Sequence, residues 1–419
     1  MSGESDRGDI MNTAEGKNKL IWAKEHMPVV SEVRKILKDK GNLKGRRIAM
    51  ALHVEAKTGI LAWTLKEAGA EVALTGCNPL STDDDVVSSL NRDFGVNTYG
   101  RKGMNDEEYY ENLNKVLDIK PDIIIDDGGD LTKLVHTTRD DVLDGIIGGN
   151  EETTTGIVRL KAMEKDGVLK IPMFDVNDAK MKHFFDNRYG TGQSTFDGIM
   201  SATNLVIAGK NVVVGGYGWC GKGIAMRASG LGANVIVTEV DSVKAVEAIM
   251  DGFRVMPMNE ASKEADFIIT ATGCKDVVTM ETIKNIKNGC VVCNSGHFDN
   301  EIDVKNMKSS ALKVSDVRSM VKKYEFENGK IVYVLADGRL VNLSAGQGHP
   351  VEIMDMSFAI QALCAERLFI DKNIENKVYA VPEDIDTYVA NVKLQSMGVN
   401  IDELSEEQRV YLNSWQHGT

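Results

Sequence analysis

Residues 212–223 (VVVGGYGWCGKG) stand in the middle of the chain. Three valines with a preference for strands lead into Gly216, Gly218 and Gly221, and residues 224–231 carry a helical pattern. Strand, glycine turn and helix together make a G-x-G-x-x-G readable as a dinucleotide site. The glycines allow a tight turn and close approach of a pyrophosphate, and the helix start offers free N–H groups and the positive end of a dipole. The next strand, at 235–238, ends in Glu239, 23 positions beyond Gly216 (239 − 216 = 23). An acid there accepts hydrogen bonds from a ribose 2′-hydroxyl and repels a 2′-phosphate, so the expected cofactor is NAD rather than NADP.

A dinucleotide unit this far along implies that another block precedes it, and 419 residues exceed one ordinary domain. From Arg46 strand and helix signals alternate through 48–52, 57–68, 70–74, 107–117 and 123–125. A second alternation begins at Asn211, with strands expected at 212–215, 235–238, 267–271 and 291–295. Such alternation implies an α/β fold with parallel sheets covered on both faces. The runs 330–335 and 339–342 flank Ala336-Asp337-Gly338, which reads as a hairpin. A long apolar helix at about 351–369 has no partner in the second block and is expected to return to the first sheet.

Composition removes some classes. A net charge of −13 argues against nonspecific binding to nucleic acid or anionic membranes. No apolar run approaches the ~20 residues that span a bilayer. The polar N-terminus lacks the apolar core of a targeting peptide and is expected to be a frayed tail. Six scattered cysteines fit a reduced, cytoplasmic protein. Cys290 and Cys293 have redox or metal spacing, but they lie in an apolar strand-like run without a second pair, so they read as buried structural thiols.

Ligands of open parallel sheets bind beyond the carboxyl ends of the strands. Polar residues there are candidates: His53, Glu55 and Lys57 after the first strand, then Asp126, Asp127, Asn177, Asp178, Asn294 and His297. Glu151-Glu152-Thr153-Thr154-Thr155-Gly156 opens a helix-like segment, ordinary as an acidic, Thr-capped first turn. Lys182 and Asp186 are spaced i, i+4, and spacing alone makes them a surface ion pair on one helix face. His297 and His349 each follow a glycine in a turn, where a histidine serves either as acid/base or as a turn residue. His26, His136, His183 and His417 read as structural or solvated, and no His/carboxylate group has metal spacing, so no metal is expected.

In chain order the sequence carries Asp-Asp-Gly-Gly-Asp at 126–130, Glu-Glu-Thr-Thr-Thr-Gly at 151–156 and Phe-Asp-Asn-x-Tyr-Gly at 185–190. Gly-Tyr-Gly-x-x-Gly-Lys-Gly follows at 216–223, then Gly-His-Phe-Asp at 296–299 and Gly-His-Pro at 348–350. Taken together these strongly resemble the S-adenosyl-L-homocysteine hydrolase family over about 27–412. The resemblance implies a substrate-binding α/β domain split into 1–188 and 351–395, and an inserted Rossmann-type NAD-binding domain at 189–350. It further implies a short C-terminal segment at 396–419, a hinge and a cytoplasmic homotetramer. The implied reaction belongs to the methyl cycle of one-carbon metabolism: NAD-dependent, reversible hydrolysis of the nucleoside thioether to purine nucleoside and L-homocysteine. It proceeds through transient 3′-oxidation, elimination, water addition and re-reduction.

By the same resemblance Lys182 and Asp186 flank the ribose 3′-hydroxyl and assist its deprotonation, and a lysine acting as base requires a lowered pKa. Asp127 and His53 resemble groups that move the C4′ proton and protonate the leaving sulfur or activate water. Glu152 and Thr153 match ribose and homocysteine contacts, His297 a residue near the homocysteine carboxylate and the closed cleft, and His349 the hinge residue that reads the purine. The implied cofactor contacts are Thr153, Thr154, Thr155, Asn177, Asn187, Gly216, Gly218, Gly221, Glu239, Thr270, Thr272, Asn294, Gly296, His297, Asn342 and His349.

The sequence departs from the family pattern in three places. The purine-reading His-x-Thr-x-Glu is here His53-Val54-Glu55-Ala56-Lys57. A Lys57 donor beside a Glu55 acceptor suits hypoxanthine, making S-inosyl-homocysteine a candidate substrate; alternatively Glu55 accepts from the adenine amino group and Lys57 points to solvent. Thr191 stands where a cysteine is usual, which makes that thiol dispensable for catalysis. The chain stops at Thr419 without the usual basic tail, from which weaker NAD retention is expected. Two other readings remain open: an NAD-dependent dehydrogenase with net oxidation, and a non-catalytic NAD-binding regulator.

Overall fold

The computed structural model describes residues 4–371 and 374–416, with side chains from residue 14 onward. Among the described residues, fifteen strands form two sheets. Apolar runs such as Ile-Ile-Ile at 123–125 and Val-Val-Val at 212–214 are buried on both faces, as parallel strands require.

The first sheet contains β1 (Arg47–Ala51), β2 (Glu71–Thr75), β3 (Asn97–Thr98), β4 (Ile123–Asp126), β5 (Gly148–Glu151) and β6 (Met173–Asp175). The second contains β7 (Asn211–Gly215), β8 (Asn234–Thr238), β9 (Arg254–Val255), β10 (Phe267–Thr270) and β11 (Cys290–Asn294), followed by β12 (Lys313–Arg318), β13 (Val321–Glu325) and β14 (Ile331–Leu335). The chain then returns and adds β15 (Val378–Ala380) to the first sheet. The orders are β15-β6-β5-β4-β1-β2-β3 and β12-β13-β14-β11-β10-β7-β8-β9. Both therefore contain the doubly wound 3-2-1-4-5-6 arrangement, with reversal points between β1 and β4 and between β7 and β10.

Register lines up the carboxyl ends. In the first sheet Ala51, Asp126, Glu151 and Asp175 are neighbours across successive strands. In the second, Thr238, Gly215, Thr270 and Asn294 are. Asp127 and Glu152 from the first sheet, and Gly216, Glu239, Ala271 and Ser295 from the second, follow these ends and line the space between the sheets.

The helix Val351–Ile370 does return to the first sheet: Asn150 on β5 donates to the Gln361 carbonyl at 3.0 Å, and Asp355 accepts from the N–H groups of Val29 and Val30 at 3.1 and 2.8 Å. Cys290 and Cys293 are buried free thiols on β11. Three expectations need correction. The polar N-terminus forms the helix Glu4–Glu25, pinned where Lys19 pairs with Asp83 and Asp85 at 2.9 and 3.0 Å. The glycine-loop helix begins at Trp219, not 224. The hairpin at 330–342 does not form. β14 already has β13 on one side and β11 on the other, and Ala336, Asp337 and Gly338 all take positive φ, winding the chain out of the sheet. Only Leu340 makes an isolated bridge, to Asn294. The antiparallel ribbon lies earlier, in β12 and β13.

Candidate active site

A cavity of about 1270 Å³ lies where the carboxyl ends of the two sheets face each other. On the second-sheet side, Gly216 sits at φ +92° with the Ala271 carbonyl 2.9 Å from where a Cβ would stand, so only glycine fits. A Cβ on Gly221 would lie 2.0 Å from the Gly216 carbonyl, so the helix Trp219–Gly230 starts directly against the turn. Its free N–H groups and Gly218 face the cavity. Glu239 accepts from the N–H of Tyr217 at 2.7 Å through one oxygen and from Val240 at 2.7 Å through the other. It keeps lone pairs for a ribose hydroxyl.

Thr272, Gly296 and Asn342 also line this side, whereas Thr270, Asn294 and Gly221 lie beneath the wall. Thr270 Oγ1 and the Gly296 N–H both donate to Asn294 Oδ1, at 3.0 and 2.8 Å, which shapes the loop bearing His297. Thr155 Oγ1 and Asn342 Oδ1 are buried without hydrogen-bond partners, and both residues line the cavity. Such polar atoms call for a ligand to complete them. Glycine loop, acid and unpartnered polar atoms together fit NAD.

On the first-sheet side, Lys182 is 5 % exposed in its side chain. Its ammonium donates to Asn187 Oδ1 at 2.9 Å and Asn177 Oδ1 at 3.3 Å, and stands 3.4 Å from Glu152 and 3.6 Å from Asp186. The pair expected on a helix surface is thus buried: the helix Lys180–His183 ends and the π-turn Asp186–Gly190 brings the acid back beneath it. Asp186 also accepts from Ser357 Oγ at 2.7 Å and sits 2.7 Å from His349 Nδ1. Glu152 accepts from Gln361 Nε2 at 2.6 Å, while its other oxygen has no hydrogen bond.

Burial alone would lower the Lys182 pKa, but the charges of Asp186 and Glu152 outweigh it and raise it. The lowered pKa that a lysine acting as base requires is not met here: Lys182 is an ammonium. Burial works to raise Asp186, yet Lys182 and His349 hold it below the usual carboxylate range. Burial pushes Glu152 up to about 7 despite Lys182.

A second group faces this one. Asp127 lies 3.5 Å from His53 Nε2 and 3.6 Å from His297 Nδ1, and His53 Nδ1 is 2.6 Å from Ser81 Oγ. Burial lowers the His297 pKa, so its imidazole is neutral. His53, Asp127 and His297 bring ligand atoms within 4.8 Å of one another, close enough to hold a metal ion. Their wide separation along the chain hides that convergence from spacing rules.

Lys57 is 9 % exposed; it donates to the Gln347 carbonyl at 2.8 Å and pairs with Glu55 at 2.6 Å. Its placement toward solvent is thereby overturned. His349 has both ring nitrogens engaged, the second 3.3 Å from Thr191 Oγ1, so its side chain is held by Asp186 and Thr191. His183 stacks on Trp219, while His417 lies outside the described residues.

Sequence reasoning missed several supporting residues. Buried Glu151 accepts from the N–H of Gly128 and Thr153 at 2.8 and 2.9 Å, and buried Glu301 accepts from Thr272 Oγ1 at 2.7 Å. Ser357 and Gln361 had a signal: polar residues at i, i+4 within the apolar stretch 351–369.

The chain matches the S-adenosyl-L-homocysteine hydrolase model over residues 7–145 and that family's NAD-binding domain model over 187–348. It is 63% identical over 409 residues to an adenosylhomocysteinase of Thermoplasma volcanium, covering 97% of this chain and 100% of that one. It is 57% identical over 414 residues to an S-inosyl-L-homocysteine hydrolase of Methanocaldococcus jannaschii, covering 98% and 99%. An adenosylhomocysteinase of Pyrococcus abyssi is 55% identical over 414 residues, covering 98% and 97%.

Proposed function

The chain belongs to the S-adenosyl-L-homocysteine hydrolase family, and from that premise we propose a division of labour within its cavity. The reaction is NAD-dependent, reversible hydrolysis of a purine-nucleoside thioether of homocysteine, favoured over net oxidation or a silent regulatory role. NAD, when bound, supplies reversible hydride removal from the ribose, which acidifies the neighbouring C–H. The observation that carries the reading is Lys182, buried between Glu152 and Asp186 and opposite the Asp127 group.

Lys182 is charged, so it donates to the ribose 3′-oxygen and steadies negative charge there. Glu152 takes the hydroxyl proton on the oxygen that has no hydrogen bond, because a group near pH 7 is matched to proton transfer. Asp186 keeps Lys182 ionised. Across the cavity Asp127, His53 and neutral His297 handle the C4′ proton and the proton exchanged with sulfur and water. Because Glu152 titrates at about 7, its base form grows as pH rises, and kcat/KM should climb through that region. Glu152→Gln should remove the inflection; an unchanged profile in this variant would remove Glu152 from the proton path.

We assign the inosyl thioether as preferred substrate. Lys57 is a buried cation already paired with Glu55 and Gln347, and its remaining N–H suits the carbonyl O6 of hypoxanthine better than the amino group of adenine. Purified protein supplied with NAD should release free thiol, with kcat/KM for S-inosyl-homocysteine about tenfold or more above the adenosyl compound, the size of one matched polar contact. Adenosyl preference would overturn the purine assignment alone, and no thiol from either would overturn the function. We place the enzyme in the cytoplasm as a homotetramer. Among the described residues no helix is long and apolar enough to cross a membrane, and the helix Glu406–Leu412 leaves Val410, Tyr411 and Leu412 exposed for a neighbouring subunit.

A further inference from the structure

Trp219 is the first residue of the glycine-loop helix, and its indole meets residues of the segment that carries Lys182. It stacks on His183, with ring centres 5.2 Å apart and planes at 27°, and meets the edge of Phe184 at 4.9 Å and 80°. Over the indole lies the ammonium of Lys222, 4.4 Å from the ring centre. Lys222 is also paired with Glu247 at 2.5 Å, on the helix Ser242–Met250. His183 and Phe184 directly follow Lys182 in the chain.

The indole therefore joins elements that sequence keeps apart. Aromatic contacts of this geometry stabilise beyond area burial, and a partly desolvated cation over a ring adds to them. The helix Lys180–His183 spans only four residues; Asp386 holds its first two N–H groups, and the indole contacts bear on its other end, where they can bias its orientation. Lys222 and Trp219 both line the cavity beside the helix start that receives a pyrophosphate. An anion there attracts the Lys222 ammonium and so acts on the ring beneath it.

We propose that Trp219 is a positioning residue: clasped between Lys222 and His183, its indole couples occupancy of the glycine loop to the placement of Lys182. The proposal rests on the role given to Lys182 above. The test uses the full chain as wild type, Trp219→Ala, Trp219→Phe, His183→Ala and the Trp219→Ala/His183→Ala double variant. Misplacing a reacting group by a fraction of an ångström costs about tenfold in kcat, which is expected for Trp219→Ala and His183→Ala, with thioether KM changed less than about twofold. Trp219→Phe, which keeps an aromatic ring, should recover most of the rate. The double variant should lose no more than either single one, because both break one linkage. NAD titration should change tryptophan emission in wild type and leave it flat in Trp219→Phe, with binding followed independently by calorimetry.

Losses that multiply in the double variant would overturn the clasp, as would unchanged kcat in Trp219→Ala or an NAD-dependent emission change that survives in Trp219→Phe. If Trp219→Ala fails to fold, unchanged kcat in His183→Ala is decisive against it. Absence of thiol release by wild type would instead strike the functional assignment, and the emission titration would still judge the clasp.

Discussion

Replacing Lys182 with methionine is expected to lower kcat for thiol release by about 10³-fold, the scale of a lost proton-transfer and charge-stabilising group. The loss should fall in kcat rather than KM, because the ammonium acts on charge that develops during the reaction. Methionine keeps the length of the stem but leaves Glu152 and Asp186 facing each other without a cation at 3.4 and 3.6 Å. Asp186 retains Ser357 and His349, and Glu152, already raised to about 7, takes up a proton instead. The fold therefore survives, which circular dichroism can verify. Activity within about tenfold of wild type would remove Lys182 from the chemistry.

The second large effect needs only one methyl group. Gly223 on the glycine-loop helix crosses the π-turn Asp186–Gly190 so closely that an added Cβ would lie 1.7 Å from the Arg188 carbonyl oxygen. Gly192 meets Gly223 from the other direction, its Cβ position 2.4 Å from the Gly223 carbonyl. Backbone blocks both sites, so no side chain can swing away. Gly223→Ala should cost about 3 kcal/mol or more, the upper range for overpacking. That corresponds to a fall in Tm of roughly 5–10 °C. Because the displaced turn carries Asp186, kcat should fall as well. A variant with wild-type Tm and rate would show that the crossing tolerates bulk.

Legibility in the sequence followed chemical locality. The dinucleotide half reads directly because Gly216, Gly221 and Glu239 lie within one strand–helix–strand unit, Gly216 and Glu239 each next to a strand end. Lys182 and Asp186 were visible as a spacing, but burial, which inverts the meaning of an ion pair, is a tertiary fact. Burial alone would lower Lys182, but it is raised because Glu152 reaches it from another segment and Asp186 turns back beneath it. His53 and Asp127 follow neighbouring strands of the first sheet, and His297 reaches them from the end of β11 in the second, so only the meeting of the two sheets brings the three together. Lys57 finds the Gln347 carbonyl 290 positions away. The hairpin expected at 330–342 failed because local turn chemistry says nothing about neighbours, and β14 lies between two strands already.

Both sheets wind in the same order and turn their reversal points toward a common space. His297 comes from one jaw and Asp127 from the other, 3.6 Å apart, so the group they form exists only where the jaws meet. Chemistry is thereby confined to the shut vice. A small parting of the jaws would draw that histidine away from that carboxylate, so whatever the pair does depends on both sheets at once.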